Sequence, residues 1–427
     1  MMNGNKIKSV HARQIFDSKC RPIIEVDVTT ENGKLGRGSA STGTSVGMYE
    51  AKILTDGDPS RFSGKSVYKA IDNVNNIIGP AIRGMDIYDQ EAIDLRMIGL
   101  DGTPQKEKLG GNAVYAVSTA CVRAAAETEG MPLYRYLAGG SLRTLPIPTF
   151  NSINGGKYGD FWMGVQEFTF CPYRAESMEE AVDIAMHVFP MIGRVITEYQ
   201  KGKQALVGHY YGWQPPTEDP AVTMELLHEA VVRCGYEDKV AYALDFASSE
   251  VYDEASGTYY MAGDRLTADE MIGLARELSE RYPFLYIEDL LDENDWEGYQ
   301  RAVREVKRSI IIGDDFIVTS EDRLRRAYEL HAAEGFIFKP NQVGTITESL
   351  RTHHFAEEHG MITIPSQRGG GVIDDVVMDL CLAMQVPAVK NSAPRSGERI
   401  YACNMLYRAA DENPQAKLYD FSQIKRF

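Results

Sequence analysis

The chain is predicted to be an α/β protein, an eight-stranded β/α barrel that follows an N-terminal α+β domain. Eight apolar, β-rich segments begin near Ile147, Gln166, Val240, Phe284, Ser309, Gly335, Met361 and Ala388, and eight is the number that closes a parallel barrel. Helical patterns with recognisable starts lie between several of them. Five segments end on a charged residue, Asp245, Glu288, Asp314, Lys339 and Lys390, at intervals of 43, 26, 25 and 51 residues. Those intervals suit one strand and one helix per step, the last covering about two steps. An open doubly wound sheet gives similar steps, so spacing favours the barrel without deciding it.

The N-terminal part carries strand patterns at RPIIEVDVTT and KLGRGSAST, a Gly/Ser/Thr-rich loop from Ser41 to Gly47, and a helical stretch running to about residue 137 that covers NAVYAVSTACVRAAAETEG. The segment GGSLRTLPIP, Gly139 to Pro148, has the Gly and Pro content of a linker. The expected domains are therefore residues 1–138 and 139–427. In the second, Ser177 with Glu180, Thr267 with Glu270 and Thr345 with Glu348 fit the capping box that starts a helix.

A chain of 427 residues with 44% apolar and 25% charged residues is long enough for two cores and excludes disordered and membrane classes. No apolar run approaches a membrane span. The opening MMNGNKIKSVHAR lacks the apolar core and cleavage site of a secretory signal, so a cytoplasmic location is expected. Six scattered cysteines without CxxC or zinc spacing are expected to be mostly buried small hydrophobes, with disulfides disfavoured. A formal charge of −16 argues against nucleic acid and anionic membranes as partners. It leaves room for a small anionic substrate, because Lys390, Arg395 and Arg399 gather near the last strand and Arg368 precedes them.

Charged side chains at the carboxyl ends of parallel strands converge on one mouth. Three carboxylates there, Asp245, Glu288 and Asp314, form a hard oxygen donor set suited to magnesium, whereas zinc would recruit His or Cys. A cation nearby favours the neutral amine of Lys339, which could then remove a proton. A lone strand-end Asp is more often a cap and a lone Lys a solvated charge, but five in succession point to a catalytic mouth. No GxGxxG or P-loop signals a nucleotide.

At these residues the chain resembles the enolase family, over nearly its full length. ARQIFDSKCRPIIEVDV is similar to the family's opening strand and GTSVGMYEA to its mobile loop; NSINGG, QEF, ALDFASSE, IEDLLDENDWEGY, GDDFIVT, KPNQVGTITE and SAPRSGERIYACNML follow in order. The resemblance implies an enolase-type barrel with an irregular start, a lid-like N-terminal domain, two magnesium ions, and a homodimer or larger assembly. It implies Asp245, Glu288 and Asp314 as ligands of the first magnesium, Ser45 as a ligand of the second, Lys339 as base, Lys390 for the substrate carboxylate, and Arg368 for its phosphate. Gln166 and Glu167 match further active-site positions.

Four positions depart from the family pattern. GHYYG, Gly208 to Gly212, replaces GDEGG and puts Tyr210 where the leaving-group acid stands; Tyr158 and Gln367 replace histidines, and Gly369 replaces a phosphate-binding serine. A phenol with a pKa near ~10 is a poor substitute for a carboxylic acid that cycles protons near neutrality. The expectation is a lyase that forms an enolpyruvate-type product from a small phospho- or phosphono-acid other than 2-phosphoglycerate, resembling a carboxyphosphonoenolpyruvate synthase. Glu167 is then the expected remaining acid, helped by Tyr210 or His209. The alternatives are phosphopyruvate hydratase itself and a homologue that binds without turnover.

Overall fold

The structure, a computed structural model, describes residues 4–43, 46–156 and 163–424. Its N-terminal part is an antiparallel meander of Ile7–Phe16, Pro22–Thr30 and Leu35–Ser39 packed on the helix Gly111–Glu129. The helix face carries Ala116, Ala120 and Ala124, and the third strand meets it with glycines. A Cβ on Gly36 would lie 2.1 Å from the Ala120 carbonyl oxygen, and one on Gly38 would lie 2.4 Å from that of Ala116. Only glycine permits so close an approach.

The segment ARQIFDSKCRPIIEVDV is not one strand. It is a hairpin, because the Asp17 carboxylate accepts the backbone N–H groups of Lys19 (2.9 Å) and Arg21 (2.8 Å) and turns the chain. The following helix Leu133–Ala138 ends at Gly139 in the left-handed region (φ 67°).

The second part is an eight-stranded sheet rolled into a barrel. In chain order its strands are Ile147–Gly156, Met163–Cys171, Ala241–Asp245, Phe284–Glu288, Ile310–Gly313, Gly335–Phe338, Ile362–Pro365 and Ala388–Lys390, referred to below as barrel strands one to eight. Strand eight pairs with strand one in parallel, and a Ser366–Lys390 bridge links strands seven and eight. The second strand begins at Met163, three residues before the expected Gln166, and runs antiparallel to both neighbours. Its N-terminal half, with Gln166 and Glu167, therefore lies at the same mouth as the carboxyl ends of the parallel strands.

Period-two alternation explains the charged ladder. Ala241, Ala243, Ile310, Ile312, Ile337 and Ala388 belong to one apolar cluster that fills the barrel interior. Two residues on from each inward side chain the next one points inward again. Asp245, Asp314, Lys339 and Lys390 thus form the top layer of the interior, where packing gives way to a polar mouth.

The helix starts hold in part. Thr267 and Glu270 form a complete capping box. Ser177 accepts from Glu180 N–H (3.1 Å), but the Glu180 carboxylate takes the N–H of Glu176 (2.7 Å), so the reciprocal bond is displaced by one residue. Thr345 accepts from Glu348 N–H and donates its hydroxyl to the Glu348 carboxylate, which also meets Lys106. Among the cysteines, Cys121, Cys171, Cys381 and Cys403 are buried, Cys20 is exposed, and all six are free thiols. No helix among the described residues is long and apolar enough to cross a membrane.

Candidate active site

Register brings the acids together. Glu167 faces Asp245 across strands two and three, and Asp245 faces Glu288 across strands three and four. Partners in register project to the same side of a sheet at about 5 Å spacing. Lys390, on strand eight across the barrel, extends its ammonium into this row and lies 2.8 Å from Glu167 Oε2, 2.9 Å from Asp245 Oδ2 and 2.7 Å from Glu288 Oε2. Burial works against the charged amine, but these three acids hold the Lys390 pKa well above the ordinary lysine value. Burial pushes Glu167 up, and it pushes the fully enclosed Glu288 well up.

Asp314 forms a second centre. Lys339 donates to its Oδ2, and Gln342 Nε2 donates to its Oδ1 at 2.8 Å. Burial favours the neutral acid here too, but the charges of Lys339, Arg368 and Lys390 outweigh it and hold Asp314 low. Against the pull of its own burial, Lys339 is held above its ordinary value by the adjacent Asp314 charge.

The sequence reading missed two acids. Asp289 stands in the left-handed region (φ 45°), which Asp tolerates, and its carboxylate accepts the backbone N–H groups of Asp314 (2.9 Å) and Asp315 (2.8 Å). It thereby ties the end of strand four to that of strand five. Burial, then the charges of Asp314 and Asp245, push it up to about 8. Asp289, Asp314 and Asp315 are the carboxylate cluster of metal-binding dimensions among the described residues. The paired acids of IED and GDD were its only signal.

The residues at the mouth fit a hard divalent cation. All donors are oxygens, and the buried Asp245 Oδ1 and Glu288 Oε1 receive no hydrogen bond from the described residues. An uncompensated buried carboxylate oxygen is costly unless a cation or proton serves it.

The N-terminal domain closes the site from the side. Arg368, which follows strand seven, is clamped by Glu50, with Nη1 2.8 Å from Oε2 and Nη2 3.1 Å from Oε1. Asn341 Nδ2 donates to Ser41 O (3.0 Å), Gln342 O accepts from Ala51 N–H (2.7 Å), and Thr42 bridges Gly370. Gly43 lines the cavity with Gln166, Glu167, Tyr210, Asp245, Lys339, Gln367, Arg368, Gly369 and Lys390. The predicted residues Ser45 and Tyr158 lie outside the described residues.

The GHYYG loop is built on Asn154 from NSINGG. Asn154 Oδ1 accepts from Tyr210 N–H (3.1 Å) and Gly212 N–H (2.8 Å), and a Cβ on Gly208 would lie 2.9 Å from Asn154 Cβ. The Tyr210 hydroxyl donates to Gln166 Oε1 at 3.4 Å, and Gln166 in turn reaches Asp245 Oδ2 at 3.4 Å. His209 Nε2 lies 2.9 Å from Lys19 Nζ, which also stands 4.7 Å above the Tyr210 ring. Burial, then the charges of Lys19 and Arg21, hold His209 down at about 4, so it is a neutral acceptor near pH 7. Arg395, expected near the anion site, instead stacks 4.4 Å over Trp213.

Fold and mouth together define a two-domain β/α-barrel enzyme. Comparison with known proteins makes this specific. Residues 7–137 match the model of the enolase N-terminal domain, and residues 142–426 that of the enolase C-terminal TIM barrel domain. The chain is 40% identical over 410 residues to the protein named Enolase from Methanopyrus kandleri, covering 95% of this chain and 96% of that one. It is 38% identical over 407 residues to the Enolase of Methanococcus maripaludis, covering 95% of each. The chain belongs to the enolase family, and it is a lyase.

Proposed function

We propose that this lyase removes the proton α to the carboxylate of a small phosphorylated or phosphonylated acid and yields an enolpyruvate-type product, with a preferred substrate other than 2-phosphoglycerate. The observation that carries the substrate part is Tyr210. Its hydroxyl stands beside Gln166 at the mouth, on a loop held by Asn154, at the position where the family pattern has a carboxylic acid. A carboxyphosphonoenolpyruvate synthase-like reaction fits this pattern.

In this reading Lys339 Nζ accepts the α-proton once a bound cation offsets the Asp314 charge that otherwise keeps the amine protonated, Lys390 holds the substrate carboxylate, and Arg368 meets the phospho or phosphono group with Gln367 and Gly369 beside it. Asp245, Glu288 and Asp314 would hold magnesium, with Ser45 serving a second ion, and the bound metal would supply positive charge that offsets the acids and the enediolate, as lysine and magnesium are paired in the enolase superfamily. Glu167, whose pKa burial raises, is the remaining proton donor: it protonates the β-hydroxyl of the enediolate, the C–O bond breaks, and water leaves as the enolpyruvate double bond forms. Tyr210 and His209 contribute hydrogen bonds. A homodimer or larger assembly in the cytoplasm completes the proposal, and light scattering of the purified protein tests the assembly.

A second reading, phosphopyruvate hydratase, has its own support. Two relatives aligned over nearly their whole length carry the name Enolase. Turnover of 2-phosphoglycerate to phosphoenolpyruvate at ordinary enolase rates, between about 1 and 1,000 per second as for typical enzymes, would establish it and end the altered-substrate proposal. The reaction class is tested by α-proton exchange in heavy water over a panel of phospho- and phosphono-acids. Exchange that survives Lys339→Ala removes Lys339 as base, and no exchange on any acid favours a binding role without turnover.

A further inference from the structure

We propose that Arg399 fixes the side-chain amide of Gln367 so that its NH2 group, and not its oxygen, faces the substrate cavity. Gln367 then serves as a neutral, donor-only contact for an anionic oxygen of the substrate. The inference rests on the proposed function and deepens it, because it assigns a specificity residue and the residue that positions it.

Arg399 is 2% exposed and Gln367 4%, and both line the cavity beside Arg368. A guanidinium has donors and no acceptor. Its Nη1, 2.9 Å from the Gln367 side chain, therefore requires the amide oxygen at that contact. The same guanidinium anchors the backbone by donating Nη2 to Arg368 O at 2.7 Å. Ser366 holds the segment from the other side, its hydroxyl donating to Gln367 O at 3.0 Å. Planarity of the amide then turns the Nε2 protons away from Arg399, and no acceptor among the described residues takes them. Gln367 lines the cavity, so the Nε2 protons are free to meet a ligand oxygen there.

Charge and direction are thus separate functions in the mouth. Lys339, Lys390 and Arg368 supply positive charge, and Arg368 is already engaged by Glu50. The Gln367 amide adds no charge but requires an acceptor. An ionised phosphonate, phosphate or carboxylate oxygen satisfies it best, and a donor-only group such as an ammonium does not. Sites built on a fixed donor reject the mismatched analogue strongly because a buried group is left unpaired.

The test is calorimetric titration of phosphonoacetate, with magnesium present, into the parent, Gln367→Met and Gln367→Glu. Methionine keeps the length and removes the donor; glutamate presents an acceptor instead. We expect Gln367→Met to weaken binding about tenfold or more and Gln367→Glu to weaken it further, with unchanged melting temperatures. Arg399→Lys should weaken binding less in the Gln367→Met background than in the parent, a non-additivity that general loosening of the fold would not produce. Parent binding that neither Gln367 substitution moves overturns this inference alone. A parent that binds no phosphonoacetate while exchanging the α-proton of another phospho-acid moves the same titrations to that acid, with the same criteria. A parent that neither binds nor exchanges any of them overturns the proposed function and this inference with it.

Discussion

The amide oxygen of Asn154 carries Tyr210 into the mouth of the barrel, accepting its backbone N–H at 3.1 Å while also holding Gly212 at 2.8 Å. Asn154 is itself on barrel strand one and buried. The loop that departs most from the family pattern therefore rests on a motif that keeps it. Asn154→Ala should strand two buried N–H groups, at about 1–3 kcal/mol each, and should lower turnover more than it lowers the melting temperature. Equal turnover in the variant would show that the loop holds its place without this bond.

Residue 210 decides the substrate in the proposed reading. Tyr210→Glu restores a carboxylic acid on the same cradle and should raise 2-phosphoglycerate dehydration by about a hundredfold or more, the typical worth of a placed general acid. Initial rates by phosphoenolpyruvate absorbance measure it, and no gain would mean that other changes set the preference.

The clamp between Glu50 and Arg368 joins the N-terminal domain to the barrel mouth. Both side chains are buried, and removing one partner from such a pair costs about 3–5 kcal/mol because the other charge is left uncompensated. Glu50→Ala is expected to lose that much in urea titration. A loss below about 1 kcal/mol, the level of an exposed pair, would mean that solvent reaches the guanidinium.

Magnesium should stabilise the folded state through the acids at the mouth. A ligand at a hundred times its dissociation constant adds about 2.7 kcal/mol. Melting with and without a chelator should reveal the rise in the parent and its absence in Asp245→Asn. A rise that persists in the variant would move the ion to the cluster of Asp289, Asp314 and Asp315.

His209 predicts a slope in stability against pH. Its folded value of about 4 lies below the ordinary imidazole value of 6.5. Between those values the unfolded chain binds the proton and the folded chain does not, so its contribution makes stability rise as pH rises from about 4 to 6.5. Urea midpoints across that range should flatten in His209→Gln. An unchanged profile would show that the imidazole titrates normally in the fold.

Much of the site was legible because period and charge coincide. Alternation along Ala241, Ala243 and Asp245, or Ile310, Ile312 and Asp314, is a local property of the chain, and it alone directs the last acid of each strand into the barrel. Asp289 and Asp315 were not legible. They sit one residue out of that alternation, and they enter the site only because a left-handed backbone at Asp289 folds its carboxylate over the next strand end.

The sequence by itself determined the order of strands and helices, the oxygen-only acids, the two lysines and the four departures at the mouth, since periodicity, residue chemistry and motif are written along the chain. Tertiary structure alone decided the partners: that strand two runs antiparallel and so delivers Glu167 beside Asp245, that Lys390 crosses the barrel to three acids, that Glu50 clamps Arg368, and that Arg399 turns Gln367. These contacts join residues from 32 to 318 positions apart. Their geometry depends on register and closure of the barrel, which no local pattern encodes.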